Sequence, residues 1–157
     1  MWLYHGKEFI SADINEHYGF VYLITDTETG RKYIGRKIFW SKRTLPPLKG
    51  KTRKRKVITE SDWQSYHGSN TALKELVSLH GSDRFKREIL HLCRSSSECA
   101  YWESKLQFQY DVLLDDTFFN DMIMCRISGR HVKNLGMYKY ACELIGTGDR
   151  NDERSSL

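Results

Sequence analysis

Long hydrophobic runs are missing from this 157-residue sequence. The longest, such as Phe20 to Ile24, fall far short of the ~20 residues a bilayer crossing needs, so no membrane partner is expected. The start, Met1-Trp2-Leu3-Tyr4-His5, has no apolar stretch behind a basic one, and no secretory signal is expected there. Cysteine is scarce and poorly spaced for metal or redox work. Cys93, Cys99, Cys125 and Cys142 include no Cys-x-x-Cys pair, which argues against a zinc ribbon or a thioredoxin-type site. They are expected to be reduced, mostly buried residues of a cytoplasmic protein. No internal repeat is apparent. What remains is a chain of one-domain length with 39% hydrophobic and 13% aromatic residues, enough for a core, which excludes wholesale disorder.

Carboxylates are absent from one long stretch. Between Arg31 and Lys56 there are twelve lysines and arginines and no aspartate or glutamate. The formal net charge is only +5, so the rest of the chain carries thirteen basic against twenty acidic residues. Concentrated positive charge gathers a polyanion and releases its counterions on contact with phosphates. Lys37, Lys42, Lys51, Arg53, Lys54, Arg55 and Lys56 are therefore candidate DNA-binding residues. A solvated loop, or a localisation-type basic run at 51–56, is the plainer alternative.

The hydrophobic pattern orders the rest. Residues 1–18 read as an N-terminal arm or lead-in strand. Gly19 to Ile24 is a short apolar run of β-formers, the pattern of a strand buried on both faces. Turn residues at 26–30 and renewed β character over 31–38 make a hairpin. A turn centred between Thr27 and Glu28 would set Tyr22 and Tyr33 directly opposite one another. Residues 41–61 hold both prolines and no hydrophobic period, and are expected to form a long basic inserted loop. Ser69 or Asn70 caps a helix that runs to His80 and stops at Gly81. Residues 84–92 read as a third strand. Ser95 to Glu98 is a capping box that opens a helix to about Leu114, with Cys99, Trp102, Leu106, Tyr110 and Leu113 as its buried stripe. A C-terminal extension over 126–145 and a polar tail over 146–157 follow. The expected class is α+β: a small three-stranded antiparallel sheet flanked by helices.

Two short motifs carry chemistry. Gly19-Phe20-Val21-Tyr22 and Lys32-Tyr33-Ile34-Gly35, about ten residues apart, resemble the two namesake motifs of the GIY-YIG nuclease family. Arg43 after the second motif, Glu103 on the later helix and Asn120 beyond its exit extend the resemblance over roughly 19–120, within a nuclease-like domain placed at 19–125. The resemblance implies a divalent-metal phosphodiesterase acting on DNA, as monomer or dimer. By that resemblance Tyr22 serves as general base, Tyr33 positions water or substrate, and Arg43 stabilises phosphoryl oxygens. Glu103 holds Mg²⁺ or Mn²⁺, and Asn120 shapes the site. Arg36, immediately after Gly35, is the alternative arginine. His67 is the nearest assisting histidine, with His80 and His91 as packing residues. A lone carboxylate suits Mg²⁺, which keeps waters and takes other ligands from phosphate. A phenol needs nearby cations to act as a base near neutrality, and the basic loop is expected to supply them. Free-standing, phage-encoded endonucleases, including homing types, are the subgroup this size resembles, which places the protein in the cytoplasm of a bacterial host. A restriction or DNA-degrading nuclease, and a non-catalytic binding module on the same fold, are the alternatives.

Overall fold

A computed structural model describes residues 1–126; the expected tail and all but the first residue of the expected extension lie outside the described residues. The chain runs β1 (Trp2–Tyr4), β2 (Lys7–Phe9), β3 (Gly19–Asp26), β4 (Lys32–Ile38), β5 (Trp40–Leu45), β6 (Arg55–Glu60), α1 (Thr71–His80), β7 (Phe85–Cys93) and α2 (Ser96–Gln109). Five strands form one sheet in the order β2-β1-β7-β3-β4, and β5 pairs with β6 in a separate ribbon. The α+β class is as expected, but the sheet has five strands rather than three. The extra two are the N-terminal β1 and β2, and β1 joins β7 in parallel. Their shortness, three residues each, hid them from any periodicity.

β3 sits between β7 and β4 and is buried on both faces, which explains its unbroken apolar sequence. Phe20, Tyr22 and Ile24 face a core with Trp2, Phe9, Phe39, Trp63 and Leu73. Val21 and Leu23 face the other core, against Cys99, Trp102 and Leu106 of α2. α1 begins on the side chain of Asn70, whose Oδ1 accepts from the Leu73 amide at 3.0 Å, and stops at Gly81 in the left-handed region (φ 84°). Ser95 Oγ caps α2 by accepting from the Glu98 amide. α2 ends at Gln109, short of the expected Leu114, because Asp111 turns the backbone left-handed (φ 47°), and Leu113 is exposed. Cys93 and Cys99 are buried as expected, whereas Cys125 is exposed.

The expected inserted loop at 41–61 is corrected most. β5 and β6 are six residues each and pair in register from Trp40↔Glu60 to Leu45↔Arg55. A ribbon with neither face buried needs no apolar alternation, so its strands carry no hydrophobic period.

The β3–β4 turn is pinned by a buried charge. Asp26 is fully buried, and its carboxylate accepts from Arg84 Nε at 2.7 Å and Nη2 at 2.6 Å, from Thr29 Oγ1 at 2.7 Å and from the Glu28 amide at 3.1 Å. These bonds, the guanidinium first, hold its pKa well below the usual carboxylate range. A depressed pKa contributes stability that is complete above the unfolded value and lost as pH falls toward the folded one. Asp26→Ala leaves Arg84 with only the exposed Glu28 carboxylate, at 2.7 Å, and the Thr29 and Glu28 donors without their acceptor; it is expected to cost about 2–3 kcal/mol at pH 7, with the gap to wild type narrowing below about pH 4. Urea denaturation at both pH values checks this; a gap that is the same at both would refute it.

Candidate active site

The register of the β3–β4 hairpin sets the site. Tyr22 lies opposite Gly35, and Tyr33 lies opposite Ile24. The two phenols are therefore diagonal neighbours, not direct partners, because the turn closes over four residues between Asp26 and Arg31. A two-residue displacement keeps side chains on the same face, so both rings still share the α1 side, with centroids 6.2 Å apart. Gly35 makes room for them: a Cβ there would stand 2.5 Å from Tyr22 Oη. Gly68, at φ 90°, lies against Tyr33 in the same way, where a Cβ would be 3.0 Å from Cε1.

Glu103 arrives from α2, on the opposite side of the sheet, by way of the free edge of β4. The Arg36 backbone N–H donates to its carboxylate, and Arg36 Nε approaches Oε2 at 3.1 Å. Burial pushes the Glu103 carboxyl up to about 7, against the lowering effect of Arg36. Its negative charge in turn raises the pKa of both Tyr22 and Tyr33, so the acid and the two phenols share one electrostatic site. Arg36, rather than Arg43, is the arginine at this carboxylate; its side chain is 40% exposed and also lines a cleft of about 340 Å³ with Ser96, Ala100 and Arg126.

Tyr22 is 1% exposed, and burial raises its pKa well above the usual phenol value, reinforced by Tyr66, Tyr33 and Glu103. The expectation that the basic segment lowers it is overturned. The ribbon cations have no part in its shift, and the groups that act on the phenol are two hydroxyls and a carboxylate. Tyr22 hydrogen-bonds Tyr66, and their rings meet edge to face at 6.1 Å. Lys37 Nζ lies over the Tyr66 ring at 3.8 Å and pairs with Asp62 at 2.6 Å. That removes Lys37 from the freely exposed cations: it packs into the site wall. Tyr33 shares a hydrogen bond with Ser69 Oγ at 3.0 Å.

Two expected site residues make their hydrogen bonds away from the phenols. Asn120 uses its whole amide on the β4 backbone, accepting from Ile34 N at 3.0 Å and donating to Ile34 O at 2.8 Å. It holds the strand and has no polar atom turned to the phenols. His67 pairs Nδ1 with the Ser65 carbonyl at 2.8 Å, which fixes Nδ1 as the donor, and desolvation and Arg87 lower its pKa. Its charged neighbours are Arg87 and the N-terminus rather than Glu103. Arg43 is exposed on β5, and Lys42, Lys51, Arg53, Lys54, Arg55 and Lys56 are exposed on the same ribbon. His80 is exposed at the end of α1 rather than packed, whereas His91 packs on Trp102 with rings 4.8 Å apart and pairs with Glu98 at 3.1 Å. Trp63 is core, its Nε1 bonded to Glu60. The contacts of Tyr66 and Ser69 with the phenols, and of Gln107 with the β4 edge, have no counterpart among the expectations. No local motif marks them, since each acquires its role only when the sheet folds.

Among the described residues no group of three or more His, Cys, Asp or Glu converges as a metal cage. A single partly buried carboxylate, Glu103, beside an arginine nonetheless suits a hard divalent ion that completes its shell with water and phosphate oxygens. No helix of the described residues is long and apolar enough to cross a membrane. One family model, described as "Putative endonuclease segE, GIY-YIG domain", matches residues 2–123. No curated protein and no solved structure matches the chain.

Glu103 also makes the site costly. Its folded pKa near 7 exceeds the ordinary 4.5, so the folded state holds an extra proton between those values. Stability therefore falls as pH rises from about 4.5 through 7. Glu103→Gln mimics the protonated form and is expected to be more stable than wild type at pH 8 by about 1–3 kcal/mol, with no difference below about pH 4.5. Denaturant titrations in EDTA at the two pH values check this, and a gain of equal size at both would contradict it.

Proposed function

The chain belongs to the GIY-YIG endonuclease family, and from that premise we propose that it hydrolyses phosphodiester bonds of DNA with a divalent cation, Mg²⁺ or Mn²⁺, held by Glu103. The observation that carries this reading is the meeting at Gly35-Arg36 of two phenols, packed about Gly35, and the partly buried Glu103 carboxylate, held by the Arg36 amide and guanidinium. The bound ion supplies positive charge to a phosphoryl oxygen, a Lewis-acid contribution of several kcal/mol in such sites.

The chain's own groups have distinct tasks. Tyr22 orients the attacking water and takes its proton; because burial keeps the resting phenol protonated, that role requires it first to lose its own proton. Tyr66 accepts the Tyr22 hydrogen bond, and Lys37, stacked on Tyr66, keeps positive charge close to that pair. Tyr33, fixed by Ser69, lines the substrate side. Arg36 lies beside Glu103 with its side chain open to solvent, placed to donate to phosphoryl oxygens as charge builds on them. As water attacks phosphorus, the P–O bond to the leaving strand breaks and that oxygen takes a proton from solvent. The exposed cations at the tip of the β5–β6 ribbon, Lys49, Lys51, Arg53 and Lys54, contact neighbouring phosphates.

Nicking of supercoiled plasmid with Mg²⁺ tests the proposal. Tyr22→Phe and Glu103→Ala are each expected to lower the rate at least ~100-fold while keeping salt-sensitive DNA binding. At saturating Mg²⁺ the wild-type rate should climb with pH from 6 to 9, because a base of raised pKa does not saturate in that range. Full activity in either variant, or a plateau near pH 7, would sink the proposed roles.

A further inference from the structure

The β5–β6 ribbon separates its cations by type. In an antiparallel pair, residues directly opposite share a face. Trp40 and Glu60, Lys42 and Ile58, and Thr44 and Lys56 therefore form one face. Ser41 and Thr59, Arg43 and Val57, and Leu45 and Arg55 form the other. Both ribbon-strand lysines that are paired lie on the first face, and both arginines lie on the second. The second face also carries two hydroxyls and two aliphatic side chains. From Trp40 to Val57 there are eight cations and no carboxylate.

We propose that this ribbon enters the major groove of duplex DNA with its Arg43–Arg55 face on the base edges. The proposal rests on the reading of the chain as a DNA-acting protein and extends it to how a cutting position is chosen. The fit is geometric and chemical. A major groove about 12 Å wide admits a two-stranded ribbon whose strands are ~4.8 Å apart. Arginine is the side chain that contacts guanine O6 and N7 bidentately, serine and threonine bond either base type, and aliphatic groups meet thymine methyls. Arg55 is two residues from Val57, the partner of Arg43, so the two arginines are diagonal neighbours roughly 7 Å apart at Cβ, about two base-pair rises. Lys49, Lys51, Arg53 and Lys54 at the tip then grip phosphates without reading sequence.

The root of the ribbon is hydrogen-bonded to the body of the domain and adjoins the active-site wall. Phe39 is fully buried, its N–H donates to Tyr18 O at 3.0 Å, and its carbonyl accepts from Ser61 N at 2.7 Å. Glu60 is held by Ser11 Oγ at 2.7 Å and by Trp63 Nε1, and Trp40 Nε1 bonds His17 O at 3.2 Å. Arg36 and Lys37 precede the ribbon and Tyr66 follows it. Bases read on the arginine face are thereby placed at a fixed offset from the phosphate at Glu103. A second copy of the chain is a poor occupant, since both faces are cationic, and A-form RNA has a major groove too narrow to admit the ribbon.

The test is selection of bound duplexes from a randomised DNA pool by the Glu103→Gln chain, repeated with wild type in EDTA so that binding is read without cleavage. A guanine-containing motif is expected. Arg43→Lys and Arg55→Lys keep the charge but lose the planar fork, and each should relax preference at one position by about 5- to 150-fold. Replacing Lys49, Lys51, Arg53 and Lys54 with alanine should instead weaken all sequences alike and flatten the salt dependence. A pool without enrichment, an unchanged motif in both lysine variants, or equal affinity for an RNA duplex overturns the proposal. If the wild type fails to nick plasmid yet selects a motif that depends on both arginines, only the hydrolytic reading falls.

Discussion

The outer edge of β4 is the constraint on which the rest of the structure depends. Its odd-numbered backbone groups bond β3, so those of Lys32, Ile34 and Arg36 point away from the sheet. An unmet buried backbone donor or acceptor costs a full desolvation penalty, about 1–3 kcal/mol. The chain meets five of these six groups from α2 and the segment after it. Lys32 bonds the Thr117 carbonyl and the Phe119 amide, Ile34 bonds Asn120 and Gln107, and the Arg36 amide bonds Glu103. Closing an exposed edge and placing the acid are thus one act of folding. The same strand presents Tyr33, Gly35 and Lys37 to the opposite face. A short helix shift would open the edge and displace the carboxylate together.

Burial of Glu103 and Tyr22 opposes both stability and simple base chemistry. Each group is neutral more easily than in water, and the Glu103 charge strengthens the hold of Tyr22 on its proton. A site that stabilised its own resting state would have neutralised Glu103 with a full, buried ion pair. Here Arg36 engages through Nε and stays open to solvent. The unsatisfied preference for positive charge is what a cation or a phosphate-bound ion would meet, in keeping with the strain expected at working sites.

Much of this was legible in sequence because it depends on local rules. The caps at Asn70 and Ser95, the stop at Gly81 and the doubly buried β3 follow from short-range chemistry, and all four appear. The two tyrosines were assigned to one face because an error of two residues in the turn conserves parity. What escaped was non-local or without an apolar signature. β1 pairs with a strand more than eighty residues away, and β5 and β6 hide their period under cations. Asn120 resembles a site residue by its position after a helix, yet its amide completes a strand edge that sequence alone does not reveal. The raised pKa of Tyr22 has a related reason: proximity to lysines along the chain does not decide which groups the fold brings to a phenol.

The N-terminal strands also belong to the site, though no motif marks them. Trp2 meets the Tyr22 ring edge to face at 5.2 Å, and its Nε1 bonds the Trp63 carbonyl at 2.7 Å. Trp63 in turn holds Glu60 at the ribbon root and packs on Phe39 at 5.3 Å. One indole therefore links the phenol to the base of the projecting ribbon through a single buried neighbour. Packed aromatic contacts of this kind transmit displacement poorly in part and well as a whole, because interiors are close-packed and do not flex continuously. The ribbon and the phenols at Gly35 are consequently held in one frame, although the ribbon makes no strand pair with the five-stranded sheet.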